Sequence, residues 1–309
     1  MELHVEPRVT KTWDEFTEEK PNFSIALDGY VFGKPRFRKT GTYTNFNHHE
    51  EVDRLATRST AGQVMIAIKQ WLMDAFIQED GKIDGHIFVN DADQDTCLAI
   101  WLLQNHSRIE WFKSEPLIES LITIEDLLDV TAGSYPIKPD SSTMQYITWI
   151  FDPYIQAKNT WELYKMEDED MKNLIYNVLY RIDKYLERKG DKIELDTRYE
   201  KIWWGENWSM IIEQWPHARW VFFHDGIKAF VSFVDENEGC FTYSIWRISP
   251  YINFPIVELY KVLNEAEWIE NWCADCWGGS NIIWGSPRKN WSYLKPSELE
   301  TIINDFMEK

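Results

Sequence analysis

Three aspartates at alternate positions form the densest group of chemically active residues in the sequence. Asp91, Asp93 and Asp95 directly follow an apolar run at residues 86–90. Carboxylates this close repel one another, so the group needs either a cation or open solvent. Oxygen ligands on alternate residues suit Mg²⁺ or Mn²⁺. An acidic surface loop whose last residue caps the next helix is the alternative, and the three aspartates alone favour neither interpretation.

A pair of adjacent histidines adds a second kind of ligand. His48 and His49 follow another strand-like run, and a neutral imidazole suits Mn²⁺ better than Mg²⁺. Asp28 ends a third apolar run, at residues 23–28, just before a glycine. Such a histidine pair is also compatible with one packed ring and one exposed ring. Because carboxylates and imidazoles follow three separate strand ends, we favour one metal cluster built from all of them.

The elements that carry these residues predict an α/β protein. The runs at 23–28 and 86–90 indicate buried strands, and helical patterns follow from residue 57 and at residues 97–103. Alternating strands, polar loops and helices are typical of a mainly parallel sheet with flanking helices and functional loops at the carboxyl ends of its strands. Helices are also predicted at 117–130 and 167–189, and an irregular segment at 137–160.

The pattern changes after the helix at 167–189. Aromatic, alternating segments at 219–225, 229–233 and 241–246 predict strands, and residues 256–266 predict a helix. We therefore expect four segments: an N-terminal arm at 1–22, a metal-binding domain at 23–165, a connecting helix at 166–190, and a smaller C-terminal α/β substrate-binding domain at 191–309.

The composition limits the classes of function. The chain has 309 residues, and 51 Asp and Glu against 32 Lys and Arg give a net charge of −19. A chain this acidic repels polyphosphate, which excludes long nucleic acid as a partner and leaves small phosphorylated ligands. The sequence has neither a basic and apolar leader nor an apolar run of membrane-spanning length, so we expect a cytoplasmic protein without a membrane partner. The lone Cys273-Ala-Asp-Cys276 pattern predicts two reduced thiols.

Two of these motifs resemble those of the DHH phosphoesterase superfamily. Asn47-His48-His49 is similar to the Asp-His-His motif that names the family, and Asp93-Gln-Asp95 is similar to its Asp-x-Asp loop. The resemblance implies that His48 binds a metal ion and that His49 faces the substrate phosphate. In this sequence Asn47 replaces the leading Asp, and the Asp-x-Asp loop follows the histidine motif instead of preceding it, which requires a rearranged strand order.

The resemblance also suggests further ligands. Asp28 is similar to the carboxylate that bridges two metal ions in the family, and either Asp126 or Asp129 is the expected last acidic ligand. The family loop carries a His where this chain has Val89, and Asp91 is a candidate replacement ligand. The expected substrate-binding residues belong to a glycine-rich segment and comprise Gly278, Gly279, Ser280, Ser286 and Arg288.

The implied activity is that of a metal-dependent phosphoesterase or phosphohydrolase with Mn²⁺ or Mg²⁺ as cofactor. The expected substrate is a short oligonucleotide, a nucleotide or a pyrophosphate-like compound, and a homodimer is a possible assembly. His49 and Asp93 are the expected catalytic residues, with Arg54 and Arg58 as weaker candidates for holding phosphate. The alternative is a non-catalytic relative that binds metal or nucleotide as a sensor or partner-binding module, an interpretation favoured by Asn47 and Val89.

Overall fold

The computed structural model describes residues 1–205, 207–213, 218–237, 239–270, 275–279, 281–287 and 290–308. The protein is α/β and contains two mixed sheets. Its chain forms two compact units, one made of residues 1–130 and 142–194 and the other of residues 131–141 and 195–309. Within the described residues, no helix combines the length and the apolar character that crossing a membrane requires.

The first unit contains a five-stranded sheet surrounded by helices. Its elements are β1 (Glu2–Val5), α1 (Trp13–Glu19), β2 (Ser24–Leu27), β3 (Arg36–Arg38), β4 (Tyr43–Phe46), α2 (Thr60–Lys69), β5 (His86–Val89), α3 (Gln94–Gln104), α4 (Pro116–Val130), α5 (Ser142–Asn159) and α6 (Asp168–Leu186). The strand order is β1-β5-β2-β4-β3. All neighbours are parallel except β3, which pairs antiparallel with β4.

The centre of this unit is the part that the sequence predicts best. Strand β2 is buried along its whole length, and every residue of α3 from Asp95 to Leu103 is buried, as expected for their apolar runs. The predicted strands at 23–28 and 86–90 and the predicted helices at 117–130 and 167–189 are confirmed within two or three residues at their ends. A mainly parallel arrangement brings the carboxyl ends of β2, β4 and β5 to one edge of the sheet.

Two segments differ from the sequence-based expectation. Residues 1–22, expected as an arm, supply strand β1, which pairs with β5, and helix α1, which begins with a capping box between Thr12 and Glu15. Residues 137–160 are mostly helix α5 and not irregular, although Pro153 lies inside it. The buried residues of α5 recur at helical spacing, so packing offsets the hydrogen bond that proline removes.

The second unit contains a six-stranded sheet. Its elements are β6 (Tyr199–Trp204), β7 (Ser209–Glu213), α7 (Ala218–Phe222), β8 (Ala229–Asn237), β9 (Cys240–Arg247), α8 (Ile256–Ala266), β10 (Gly278–Gly279), β11 (Ile283–Gly285) and α9 (Pro296–Met307). The strand order is β10-β11-β9-β8-β7-β6, and only β7 and β8 are parallel. The predicted strands at 229–233 and 241–246 and the helix at 256–266 are confirmed.

The strand predicted at 219–225 is wrong, because this segment contains helix α7. Ala218 and Phe222, one helical turn apart, are both fully buried. A short apolar run does not by itself distinguish a strand from a helix.

Candidate metal centre

Three parallel strands deliver the candidate ligands to one edge of the first sheet. Asp28 follows β2, His48 and His49 follow β4, and Asp93 and Asp95 follow β5. Strand β2 lies between β4 and β5 and is parallel to both. Because the carboxyl ends of adjacent parallel strands share an edge, side chains distant in sequence meet there.

His48 lies at the centre of the cluster and is completely buried. Its Nε2 atom lies 2.8 Å from Asp129 Oδ2, 3.5 Å from Asp28 Oδ1 and 3.7 Å from Asp95 Oδ2. Within the described part of the chain, neither ring nitrogen of His48 has a hydrogen-bond partner, and neither has the buried Oδ2 of Asp129. Buried polar atoms that make no hydrogen bond are costly, and these facing imidazole and carboxylate atoms form a group that could hold a metal ion.

Asp28 sits on a strained turn that aims its carboxylate into the cluster. Its φ is +47°, a left-handed conformation that aspartate tolerates better than most residues, and Gly29 continues the turn at +81°. Its Oδ1 accepts a hydrogen bond of 2.9 Å from the Thr60 hydroxyl and lies 3.0 Å from His49 Nε2. Burial alone raises the pKa of Asp28, but His49 and then His48 outweigh it, and the pKa falls below its ordinary value.

The two aspartates that follow β5 are held by backbone donors. Asp93 is the N-cap of α3 and accepts a hydrogen bond of 2.8 Å from the Thr96 N–H. Asp95 accepts hydrogen bonds of 2.5 and 2.8 Å from the N–H groups of Thr60 and Ala61. Burial first, and the neighbouring carboxylates second, raise the pKa of both aspartates well above the ordinary value. A cation bound here would displace the protons that such carboxyl groups retain.

Helix α4 supplies a further carboxylate. Of the two aspartates that the sequence left open, Asp129 is the one that faces His48. Asp126 instead accepts a 2.7 Å hydrogen bond from the Ser59 N–H, and its other oxygen lies 2.7 Å from Arg58. The chain position of the two aspartates, three residues apart on one helix, does not reveal which of them turns toward the strand ends.

The open side of the cluster carries basic groups. The His49 side chain is 33 % exposed, and its Nδ1 lies 3.4 Å from Arg54 Nη1. Arg54 also donates to the carboxylate and the carbonyl oxygen of Asp129, both at 3.0 Å, which ties the loop after β4 to α4. Burial lowers the pKa of His49, but the charge and the hydrogen bond of Asp28 reverse this effect and raise it.

Asn47, which directly precedes the two histidines, orders the loop that presents them. It is fully buried, and its amide donates to the carbonyl oxygens of Val31 and Gly33 at 3.2 and 3.0 Å. Its side-chain oxygen accepts a 3.0 Å hydrogen bond from the backbone N–H of His49. Asn47 therefore fixes the backbone of the loop.

The remaining sequence-predicted residues are placed as follows. The carboxylate of Asp91 accepts a hydrogen bond from the Ala92 N–H and is not among the ligand atoms that come together around His48 in the described residues. Gly278 and Gly279 form β10 and pair with β11 in the second unit. The Ser286 hydroxyl accepts a 3.0 Å hydrogen bond from the buried Tyr243 N–H. Ser280, Arg288 and Cys273 lie outside the described residues.

The sequence patterns did not identify one acidic residue that lies near the cluster. Glu125, one turn before Asp129 on α4, is buried, and its Oε2 has no hydrogen-bond partner in the described part of the chain. Burial, followed by the charge of Asp129, raises its pKa to about 8. The only sequence signal is a glutamate on the apolar face of an amphipathic helix.

The donor set fits a divalent ion. The ligand atoms form two groups that share His48: Asp28 with His48 and His49, and His48 with Asp95 and Asp129. Adjacent ligands of an octahedral ion bound at about 2.1 Å lie about 3.0 Å apart. The separation of 2.8 Å between His48 Nε2 and Asp129 Oδ2 is close to this value, whereas His48 Nε2 lies farther from Asp28 and Asp95, at 3.5 and 3.7 Å. Mixed imidazole and carboxylate ligands favour Mn²⁺ over Mg²⁺.

No family model matches the chain, and no curated protein matches it.

Proposed function

We propose that this protein is a hydrolase of small phosphoesters that depends on Mn²⁺ or Mg²⁺. The observation that carries the proposal is the buried Nε2 of His48, which makes no hydrogen bond in the described part of the chain and faces the carboxylates of Asp28, Asp95 and Asp129. A divalent ion bound by these groups lowers the pKa of a water ligand and neutralises charge on phosphoryl oxygens. The similarity of the histidine and Asp-x-Asp motifs to those of the DHH phosphoesterases supports the same assignment.

The basic groups beside the cluster have the chemistry that a phosphate requires. His49 has a raised pKa and is partly exposed, so it can donate a proton or a hydrogen bond to a phosphoryl oxygen or to the leaving oxygen. Arg54 is held beside His49 by its hydrogen bonds to Asp129, so its positive charge lies next to the place proposed for the phosphate. Asp93, whose pKa is raised by burial and by the neighbouring carboxylates, is the second candidate for proton transfer.

The charge of the chain limits the size of the substrate. A net charge of −19 repels long polyanions, whereas a nucleotide, a very short oligonucleotide or a pyrophosphate-like compound brings only a few charges into the site. Within the proposal, the second unit is a substrate-binding domain similar to that of the family. The homodimer remains a prediction.

The test is metal-dependent hydrolysis by the full chain. Protein stripped with EDTA is reloaded with Mn²⁺, Mg²⁺ or Co²⁺ and assayed with bis(p-nitrophenyl) phosphate, pyrophosphate and a dinucleotide. His48→Ala should lose both bound Mn²⁺ and turnover, whereas His49→Ala should retain Mn²⁺ and lose most turnover. His106→Ala is the matched control, since His106 contacts Glu110 at 3.4 Å in the same unit but is not part of the cluster.

The outcomes separate catalysis from binding. Turnover that follows metal content and disappears in His49→Ala supports a hydrolase. Metal binding that depends on His48 without hydrolysis of any of these substrates contradicts the hydrolase and favours the non-catalytic alternative. Mn²⁺ content unchanged by His48→Ala contradicts the ligand assignment itself.

A further inference from the structure

A second group of metal-ligating side chains lies at the opposite end of strand β5. His86 is the first residue of β5, whereas the aspartates of the first cluster follow the last residue of this strand. The neighbouring edge strand β1 carries Glu2, which is directly paired with His86, and His4 two residues further on. Side chains two residues apart on a strand share a face, as do directly paired residues, so all three project from the same face of the sheet.

The three ligand atoms form a nearly equilateral triangle. His4 Nε2 lies 3.0 Å from His86 Nδ1, and the Oε2 atom of Glu2 lies 3.5 and 3.3 Å from these two nitrogens. Two nitrogen or oxygen ligands of a tetrahedral Zn²⁺, bound at about 2.0–2.1 Å, are separated by about 3.3–3.4 Å. The observed triangle is therefore close to one face of a zinc coordination tetrahedron.

Neighbouring residues hold the His4 ring and the backbone of His86 in place. His4 stacks on Phe88 with ring centroids 4.6 Å apart and an interplanar angle of 12°. The backbone N–H of His86 donates a 2.8 Å hydrogen bond to Phe23, and β5 is paired on both sides. Both histidines are about 30 % exposed, so an ion from solvent can reach them. Preorganised ligands reduce the cost of ordering on binding.

The electrostatic environment also favours a cation. Glu2 and His4 line a cavity of about 270 Å³ that reaches the start of helix α6. Its other charged lining residues are the carboxylates of Glu6, Asp168 and Glu169 and the ammonium of Lys172. Three protein ligands leave the fourth position of a tetrahedral ion for water or for a carboxylate of this cavity.

We propose that Glu2, His4 and His86 form a second metal site, separate from the His48 cluster, that binds Zn²⁺ or a similar transition-metal ion. Two imidazoles and one carboxylate are a zinc-type donor set and are unsuited to Mg²⁺ or Ca²⁺, which prefer oxygen ligands. Since the ligands come from two strands, the bound ion clips the edge strand β1 to β5. The site does not depend on the proposed hydrolase activity.

The test measures zinc binding in chains that differ at one ligand. Full-length wild type and the His48→Ala variant, in which the first cluster is disabled, are titrated with Zn²⁺ by equilibrium dialysis with elemental analysis. His48→Ala should bind about one equivalent. Introducing His4→Ala or His86→Ala into this variant should weaken binding at least about tenfold, in line with the loss of a direct ligand. His106→Ala is the matched control and should leave binding unchanged.

A further variant and a second metal ion distinguish the loss of a ligand from misfolding of the variant. Glu2 is exposed, so Glu2→Gln should preserve the circular dichroism spectrum while weakening zinc binding. Co²⁺ added to His48→Ala should give the intense visible absorption of a four-coordinate ion, and this absorption should disappear with His4→Ala. Equal zinc affinity with and without His4 and His86, or no zinc bound by folded His48→Ala, would overturn the proposal and leave these side chains as a hydrogen-bonded pair beside a carboxylate.

Discussion

Glu125 should make the metal-free protein less stable as the pH rises. This side chain is buried on α4, and its Oε2 has no hydrogen-bond partner in the described part of the chain. Burial, with a further contribution from the charge of Asp129, raises the pKa of its carboxyl group from 4.5 to about 8. Near neutral pH the folded protein therefore keeps a proton on Glu125 that the unfolded chain releases.

The sign and size of the effect follow from this difference. Because the folded-state pKa lies above the unfolded one, the contribution of Glu125 to stability is fully present below pH 4.5 and is lost as the pH rises toward 8. Each pKa unit corresponds to about 1.4 kcal/mol, so the free energy of unfolding should fall by about 3 kcal/mol between pH 5 and pH 8 because of this one group.

Urea unfolding in EDTA at pH 5, 6, 7 and 8 measures the effect. In Glu125→Gln, the fall in the free energy of unfolding between pH 5 and pH 8 should be about 3 kcal/mol smaller than in wild type. Glu119→Gln on the same helix is the control. Burial raises the pKa of Glu119, but its hydrogen bond to Lys69 leads a net decrease, so its contribution changes only below pH 4.5. Parallel curves for wild type and Glu125→Gln would refute the reasoning.

Three further substitutions test the local structure by unfolding free energy in EDTA. Asp95→Ala removes the acceptor of the first two N–H groups of α2 and should lower the free energy of unfolding by about 2–4 kcal/mol. An unchanged free energy of unfolding would contradict those hydrogen bonds. Ser286→Ala removes the hydroxyl that accepts from the buried Tyr243 N–H and should lower the free energy of unfolding by about 1–3 kcal/mol. Unchanged stability with a raised KM would instead support the substrate-binding role. Gly62→Ala should lower the free energy of unfolding although alanine has the better helix propensity, because the new Cβ would lie 2.8 Å from Asp126 Oδ1. A gain in stability would show that the Asp126 side chain moves away freely.

The sequence indicates the cluster because its ligands follow strand ends. Once Asp28, His48 and Asp95 are assigned to buried strands followed by loops, a parallel sheet brings them to one edge without further information. The relevant strand order, with β2 between β4 and β5, depends on long-range pairing that local patterns do not encode.

The sequence alone does not show which of two nearby aspartates faces the cluster. Asp126 and Asp129 differ only in which side of α4 they occupy relative to the strand ends, and the packing of that helix decides it. The same applies to Arg54, whose contact with Asp129 joins segments 75 residues apart. Helix α5 forms although it contains a proline, and α7 forms although its sequence alternates like a strand. In both, the burial of residues one helical turn apart decides the structure.

The central claim is that a divalent ion binds between His48 and the surrounding carboxylates. Crystals of the full chain grown with Mn²⁺, with diffraction data collected near the manganese absorption edge, locate such an ion by its anomalous scattering. The account predicts a peak about 2.0–2.3 Å from His48 Nε2 and within ligand distance of Asp129, with Asp28 or Asp95 completing the site. No peak there in manganese-saturated crystals, with His48 Nε2 hydrogen-bonded directly to Asp129, would contradict it.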